Sequence, residues 1–427
     1  MSKLILVTNS ENPKPELKRA LGLFDATAIS IGAIIGAGIF VVTGIVAGMA
    51  GPSIIISVIL AGIIASITAL SFAQVCACIP REGGVYEYSY RLISPFAGFL
   101  SGWMWILSNV FAGAAVSLGF AQYLGAVFPS LPITITAAVL CILFTILNTV
   151  GVRASATVNN FLVVAKIIIL LFFIGLGLSF VNLANFQPFM PEGSIGIIEG
   201  AAIMYFAYGG YARVTTVAEE VKDAEKTIPK AIILALAIST LLYVSISIIA
   251  VGLVGSQRLA SSNSPLADAI GVAGIPAAVF IVSLGAMLAT ASVLLMTILG
   301  VSRVGFAMAR NSQLPAFLSR IHPKFKTPYY AVWVTGGLSA ILVFENFSRV
   351  VAVGTFALLF NHALVNIAAL RLKAEYRRYP VFVSILGFLL CVSLLVFLSS
   401  DAWLIGIAGL AIGTLYYFLR IRRRQTK

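Results

Sequence analysis

Charge is what this sequence lacks most. Asp, Glu, Lys and Arg make up 10% of its 427 residues, against about 25% in a soluble domain. With 60% of residues hydrophobic, a single water-soluble core cannot hide the apolar surface, and the bilayer is the natural solvent. Histidine occurs only twice. There is no Ser-His-Asp arrangement, no HExxH and no Walker A glycine loop. Catalysis therefore gets little support, and no cofactor or metal is implied. Without a nucleotide site, uphill work must draw on an ion gradient or on solute exchange. The four cysteines, Cys76, Cys78, Cys141 and Cys391, lie in or at the edges of apolar runs and imply no disulfide framework. Cys76 and Cys78 lack the further ligands of a zinc site. "LILV" near the start is too short for the apolar core of a signal peptide.

What the chain has instead is apolar runs of about 20 residues, each long enough to span a bilayer. They read as 22–46, 53–78, 95–126, 132–150, 157–182, 196–214, 230–254, 274–304, 329–345, 350–370, 380–398 and 402–420. The runs are continuous rather than alternating, which excludes β-barrels and layered soluble folds. The expected fold is an all-α polytopic membrane protein with twelve transmembrane helices. A tail (1–21) precedes them and a basic tail (421–427) follows. The external loop 255–271 carries turn residues and a possible short helix from Pro265.

The net charge of +13 follows the same topology. With twelve spans and both ends on one side, that side receives Lys14, Lys18, Arg81, Arg91, Arg153, Arg213, Lys222, Arg303, Arg310, Arg377 and most other basic residues. The opposite side receives only Arg258 and Arg349. The positive-inside rule places both termini in the cytoplasm of a plasma or inner membrane. The basic excess is topology plus attraction to anionic lipid, and not a nucleic-acid site.

Within the first run, "ISIGAIIGAGIF" crowds Gly32, Gly36 and Gly38 into the centre of a helix, where glycine is a poor helix former. The sixth run has a second interruption at "FAYGGYA", Phe206–Ala212. Five spans separate the two, so the second unit is inverted relative to the first. Interrupted helices at matching places of inverted halves point to a secondary transporter's binding site. Broken helices expose peptide groups that survive only beside a cavity or ligand. A positive half-helix end suits a carboxylate and free carbonyls suit an ammonium, so the pair suits a zwitterion. The competing reading of Gly32 and Gly36 is close helix packing at GxxxG spacing.

These stretches resemble those of the amino acid–polyamine–organocation (APC) transporters. "GAIIGAGIF" resembles the family's first helix and "PREGGVYEYSYR" its loop before helix 3. "FAYGGYARVTTVAEEVKDAEKTIPKA" resembles helix 6 and its loop, "SRVGFAMARNSQLP" the exit of helix 8, and "VGTFALLFNHALVNIAALRLK" helix 10. The matches stand in family order along nearly the whole chain. The resemblance implies a five-plus-five inverted repeat (22–182 and 196–371) followed by two further helices (379–420), with helices 1 and 6 unwound. It implies that a substrate carboxylate meets the amides of Gly36, Ala37 and Gly38. The ammonium meets carbonyls of Ile34, Phe206, Ala207 and Gly209, with Phe206 as an aromatic gate. Arg81, Glu82, Glu219 and Glu220 would help close an inner gate. Small residues such as Ala37 and Gly113 would leave room in the pocket, which favours a broad neutral range of amino acids. Asn109 and His362, lone polar residues in spans 3 and 10, read chiefly as hydrogen-bonding links between helices.

Lys166 is the one lysine inside a span, about ten residues or ~15 Å from its cytoplasmic start. A charge near the bilayer centre costs about 3 kcal/mol or more, so it must find a partner or shed its proton. Sodium-coupled relatives of the fold pair two hydroxyls on helix 8 with carbonyls of helix 1. Here "LATASVLL" keeps Ser292, with Ala291 in place of the other. Some proton-coupled APC members carry a helix-5 lysine whose ammonium takes the sodium's place, and Lys166 matches them, with Gly32 and Ser292 as expected partners. The expected function is proton-coupled amino acid transport by alternating access. An amino acid/polyamine exchanger without net proton coupling is the alternative, with a channel or sensor further off. The expected partners are an amino acid, protons and membrane lipids. An accessory subunit is not legible in the sequence.

Overall fold

The computed structural model describes residues 21–79, 84–150 and 156–422. The tail before Leu21, Arg81, Glu82, Arg153 and the residues after 422 lie outside the described residues, as do the side chains of Glu219 and Glu220.

Fifteen α-helices run through the described residues: α1 (Leu23–Ile34), α2 (Thr43–Ala50), α3 (Ile54–Cys78), α4 (Gly84–Leu92), α5 (Pro95–Val127), α6 (Ile133–Val150), α7 (Ala156–Leu178), α8 (Gly193–Tyr208), α9 (Ala224–Ser261), α10 (Pro265–Gly271), α11 (Pro276–Arg310), α12 (Tyr329–Leu342), α13 (Phe347–Leu370), α14 (Val381–Val396) and α15 (Ser400–Tyr416). Eight helical stretches among the described residues are long and apolar enough to cross a membrane, the whole of Leu23–Cys78 counting as one. Tyr329–Leu342 and Val381–Val396 are shorter apolar helices. The chain is an integral, all-helical membrane protein.

Helix starts follow local chemistry. At α5, the Ser94 hydroxyl accepts from the Ala97 amide at 3.1 Å, and Pro95 occupies a first-turn position where its missing N–H costs nothing. Asn346 caps α13 in the same way, accepting from the Ser348 amide at 2.9 Å.

The outward faces are apolar. Phe161 is 72% exposed and Leu404 73% exposed, an arrangement that water would penalise and hydrocarbon does not. Inside lies the core of α1, α2, α3, α5, α8 and α13, rich in alanine, glycine and short polar residues, whose small side chains let helices approach closely.

Three boundaries differ from expectation. The connection 79–94 contains α4, which buries Tyr86, Tyr88 and Ser89 and carries an Arg91–Glu87 ion pair on its other side. The chain stays helical past residue 254 to Ser261, bending at Gly255, where φ of 75° suits only glycine comfortably. α10 then begins at Pro265, as expected. α11 runs on to Arg310 rather than stopping at 304. Hydropathy marks where the bilayer ends, not where the helix does. A helix satisfies its own backbone bonds equally well beyond the interface.

One contact ties remote parts of the chain. Just before α1, Leu21 pairs with Val221 as an isolated parallel bridge, and the Lys222 amide donates to the Leu21 carbonyl at 2.9 Å.

Candidate functional site

α1 stops at Ile34. Ile35 is extended, with φ −76° and ψ 98°, and winding resumes at Gly38 as one wide π turn (Gly38–Val42) that leads into α2. The first amides of a resumed helix have no partner within it, and the last carbonyls of the stopped one have none either. The glycines answer a second demand, that of close approach. A Cβ at Gly36 would lie 2.9 Å from Val293 Cγ2 on α11, and one at Gly38 would lie 2.6 Å from Ala207 Cα on α8. Packing and interruption, which the sequence presents as rival explanations, coincide here.

The second interruption takes another form. α8 ends at Tyr208, and from Gly209 to Glu220 the chain tightens into twelve residues of 3₁₀-helix. Runs beyond three or four residues are uncommon. The expectation of an unwound helix 6 is corrected: it narrows instead. The tighter winding keeps its i→i+3 bonds, so fewer peptide groups are stranded in the apolar interior than an open coil would strand. A Cβ at Gly210 would fall on the Ala33 carbonyl and 2.5 Å from the Ile34 amide nitrogen. The two interrupted segments therefore touch backbone to backbone.

Between them lies a cavity of about 60 Å³. One ordered water needs roughly 10–15 Å³ of such space, so this volume suits a small solute. Ile34, Gly36, Ala37 and Gly38 line it from the first segment, and Phe206, Ala207 and Gly209 from the second. The structure brings all seven substrate-site candidates to one hollow. Trp105, Ser108 and Asn109 of α5 add a polar wall, and Val293 and Leu358 an apolar one.

Lys166, on α7, is 1% exposed. Its ammonium donates to the Ser292 hydroxyl at 2.5 Å, the Gly32 carbonyl at 3.2 Å and the Ile35 carbonyl at 3.4 Å. It thus sits at the carbonyl end of α1, where the helix dipole favours a cation. The position is reachable because Gly32 lets α7 come close: a Cβ there would meet Asn159 Oδ1 at 2.9 Å and Val163 at 3.0 Å.

Tyr243 of α9 escaped the sequence reading. Fully buried, its hydroxyl lies 2.9 Å from the Ile34 carbonyl and 3.4 Å from the Ala207 carbonyl. It bridges the two interrupted segments from behind the cavity. The only signal was a lone tyrosine in an apolar run, whose buried hydroxyl must find a partner. Tyr243→Phe removes this bridge and leaves two carbonyls short of a donor, at a cost of about 1–3 kcal/mol if they stay dry. The expected result is normal expression with an apparent KM for uptake raised several-fold. An unchanged concentration dependence would count against this role.

Arg213 also departs from expectation. Counted with the cytoplasmic charges in the sequence, it instead lines the cavity from the 3₁₀ segment. It donates to Thr297 Oγ1 at 2.6 Å and to Asn109 Oδ1 at 3.4 Å. The span 196–214 already contains Arg213 near its end, and the charge was counted with the side on which that end emerges. The signal was its distance from Gly209, four residues, or ~8 Å at 3₁₀ rise. Asn109, expected as a link between helices, makes that link and also borders the hollow.

Gly113, expected to leave room in the pocket, lies elsewhere. A Cβ there would meet Ser339 of α12, whose hydroxyl donates to the Val110 carbonyl at 2.9 Å. Its role is close packing of α5 on α12. His362 is also outside the cavity wall. Its Nδ1 lies 2.7 Å from the Tyr205 hydroxyl and 3.2 Å from that of Tyr211, which joins α13 to both sides of the Gly209 transition.

A helical membrane protein holding a small, partly polar hollow where two helices are interrupted defines the class. Residues 21–418 match the amino acid permease family. The chain belongs to that family, within the APC superfamily of transporters. It is 34% identical to the methylthioribose transporter of Bacillus subtilis, across 98% of this chain and 96% of that one. It is also 34% identical to the branched-chain amino acid permease BcaP of the same organism, across 99% and 96%. Cationic amino acid transporter 4, vacuolar, of Arabidopsis thaliana is 31% identical, across 83% of this chain and 64% of its own.

Proposed function

We propose that the protein is a secondary active amino acid transporter, coupled to protons and working by alternating access. The chain crosses a plasma or inner membrane twelve times with both termini in the cytoplasm. Residues 22–182 and 196–371 form its two inverted units. A zwitterion sits in the cavity, its carboxylate toward the amides of Gly36, Ala37 and Gly38. Its ammonium faces the carbonyls of Ile34, Phe206, Ala207 and Gly209. Lys166, with Gly32 and Ser292, carries the coupled proton. One observation carries this reading: Lys166 reaches the carbonyl end of the same interrupted helix whose resumed turn lines the cavity. Protonation on one side of the break and substrate on the other then act on one segment. The relatives' printed names range over branched-chain and cationic amino acids and methylthioribose. The apolar wall of Val293, Leu358 and Phe206 favours neutral amino acids among these.

The test is uptake of labelled neutral amino acids into proteoliposomes with an imposed inward proton gradient. Saturable accumulation above the external level, collapsing with a protonophore, is expected. Counterflow without a gradient, and no uptake into empty vesicles, would replace this reading with exchange.

A further inference from the structure

Basic residues in three of the connections between helices have acidic partners: Arg91 pairs with Glu87, Lys373 with Glu375 and Arg378 with Glu225. The connection between α11 and α12 (311–328) differs. Arg320, Lys324 and Lys326 are exposed there, and none of them is in an ion pair among the described residues. No Asp or Glu lies anywhere between Asp268 and Glu345. The same stretch carries a row of rings. Between centroids, Phe317 meets Tyr330 at 5.8 Å, Tyr330 meets Tyr329 at 4.1 Å, Tyr329 meets His322 at 5.4 Å and His322 meets Phe325 at 4.7 Å. The Lys324 ammonium lies 5.5 Å from the centroid of that last ring. The backbone is fixed as well. His322 Nδ1 accepts from the amides of Lys324 and Phe325, each at 3.2 Å. Thr327 Oγ1 donates to the Thr149 carbonyl in the last turn of α6 at 2.7 Å. Beside the cations, Phe317 and Ile321 are large apolar side chains left exposed.

We propose that this connection is a binding site for an anionic phospholipid, with Arg320, Lys324 and Lys326 around the headgroup phosphate and Phe317 and Ile321 against the acyl chains. α11 is apolar and long enough to cross a membrane, and α12 is a shorter apolar helix, so the segment joining them turns at the polar edge of the bilayer. Aromatic rings collect at that edge. Guanidinium and ammonium groups suit a phosphate there, one as a planar fork and the other as a point charge. The turn is already bound to α6 and to its own histidine, so seating a lipid costs little further ordering. Each Lys or Arg near an anionic surface strengthens association about fivefold. Three together give roughly a hundredfold, which salt and detergent reduce to about tenfold or more. Lipid binding is read without transport, so it stands apart from the amino acid reading above.

The experiment titrates the purified full chain in detergent with dioleoylphosphatidylglycerol or dioleoylphosphatidylcholine and follows binding by thermophoresis. The two lipids share their acyl chains and phosphate and differ in net charge. The unaltered protein is expected to bind phosphatidylglycerol at least about tenfold more tightly, with the preference shrinking in high salt. The triple variant Arg320→Gln, Lys324→Gln, Lys326→Gln is expected to lose that preference. A control triple, Lys222→Gln, Lys226→Gln, Lys230→Gln, removes the same charge from exposed positions before and within the start of α9, where Asp223 and Glu225 stand among them. It should keep the preference. Equal affinity of the unaltered protein for the two lipids overturns the site. A control triple that loses as much as the first triple also overturns it, since the attraction would then belong to the total charge. Binding of a polyglutamate peptide without any lipid preference overturns it too, and assigns the connection to an acidic protein partner. The comparison of lipids on the unaltered protein decides even if the first triple fails to fold.

Discussion

Replacing Lys166 by alanine is expected to abolish accumulation driven by a pH gradient, reducing it at least about tenfold, the equivalent of ~1.4 kcal/mol. The argument is a count of protons. An ammonium has three donors, and Lys166 has three acceptors: the Ser292 hydroxyl and the Gly32 and Ile35 carbonyls. Ser292 spends its own proton on the Ala289 carbonyl at 2.9 Å, so toward Lys166 it acts as an acceptor. A deprotonated amine has two donors and a lone pair, so either one of the three contacts lapses or Ser292 turns its proton from the Ala289 carbonyl to the amine. Loss of the proton would thus rearrange the bonds that tie α7 to the end of α1 and to α11, as the proposed coupling requires. Alanine removes all three contacts and leaves buried carbonyls short of a donor at about 1–3 kcal/mol.

Lys166→Arg separates a proton carrier from a fixed clamp. Arginine keeps the charge at the helix end but does not release it. Gradient-driven accumulation should vanish while exchange of internal for external substrate persists. If Lys166→Arg still accumulates substrate in response to the gradient, the lysine is only a clamp.

Gly210→Ala is the second large effect. The added methyl would land on the Ala33 carbonyl and within 2.5 Å of the Ile34 nitrogen. Both are backbone atoms, with no rotamer to turn aside. Overpacking of this kind costs about 1–3 kcal/mol, often more against backbone. Folded proteins hold about 5–15 kcal/mol in reserve, so the variant should still fold, with the two interrupted segments pushed apart and uptake lost. Gly300→Ala is the control. Nothing lies within 4 Å of a Cβ there, and alanine should hold helix α11 slightly better, by up to ~1 kcal/mol. The expected pattern is a lowered thermal midpoint without transport for Gly210→Ala, and wild-type uptake for Gly300→Ala. Wild-type uptake by Gly210→Ala would mean that the backbone contact between the segments is dispensable.

The two interruptions were legible because glycine in an apolar run is conspicuous, and Lys166 because a charge in hydrocarbon must be answered. The partners of Lys166 could be named only through resemblance, since nothing in the local spacing links residue 166 to residues 32 and 292. That Arg213, at the end of the span 196–214, lines the cavity was hidden for a physical reason. Hydropathy averages over a window, so a charge at the end of a span is credited to the water beyond it, whatever cavity lies within reach. Tyr243 and Gly113 show the same limit from the other side. Each sits in an ordinary apolar stretch, and only the packing of α9 behind the break, or of α5 on α12, decides that one faces the site and the other does not. The narrowing of helix 6 left no sequence trace beyond Gly209 and Gly210, because 3₁₀ and α winding draw on the same residues.

The bridge between Leu21 and Val221 has a mechanical outcome. Twelve residues of 3₁₀-helix are about 6 Å longer than the same residues wound as α. The slack lies between Gly209 and an anchor fastened to the foot of the first helix. Rewinding that stretch as α would shorten it and, through the bridge, pull on the first interrupted segment as well as the second.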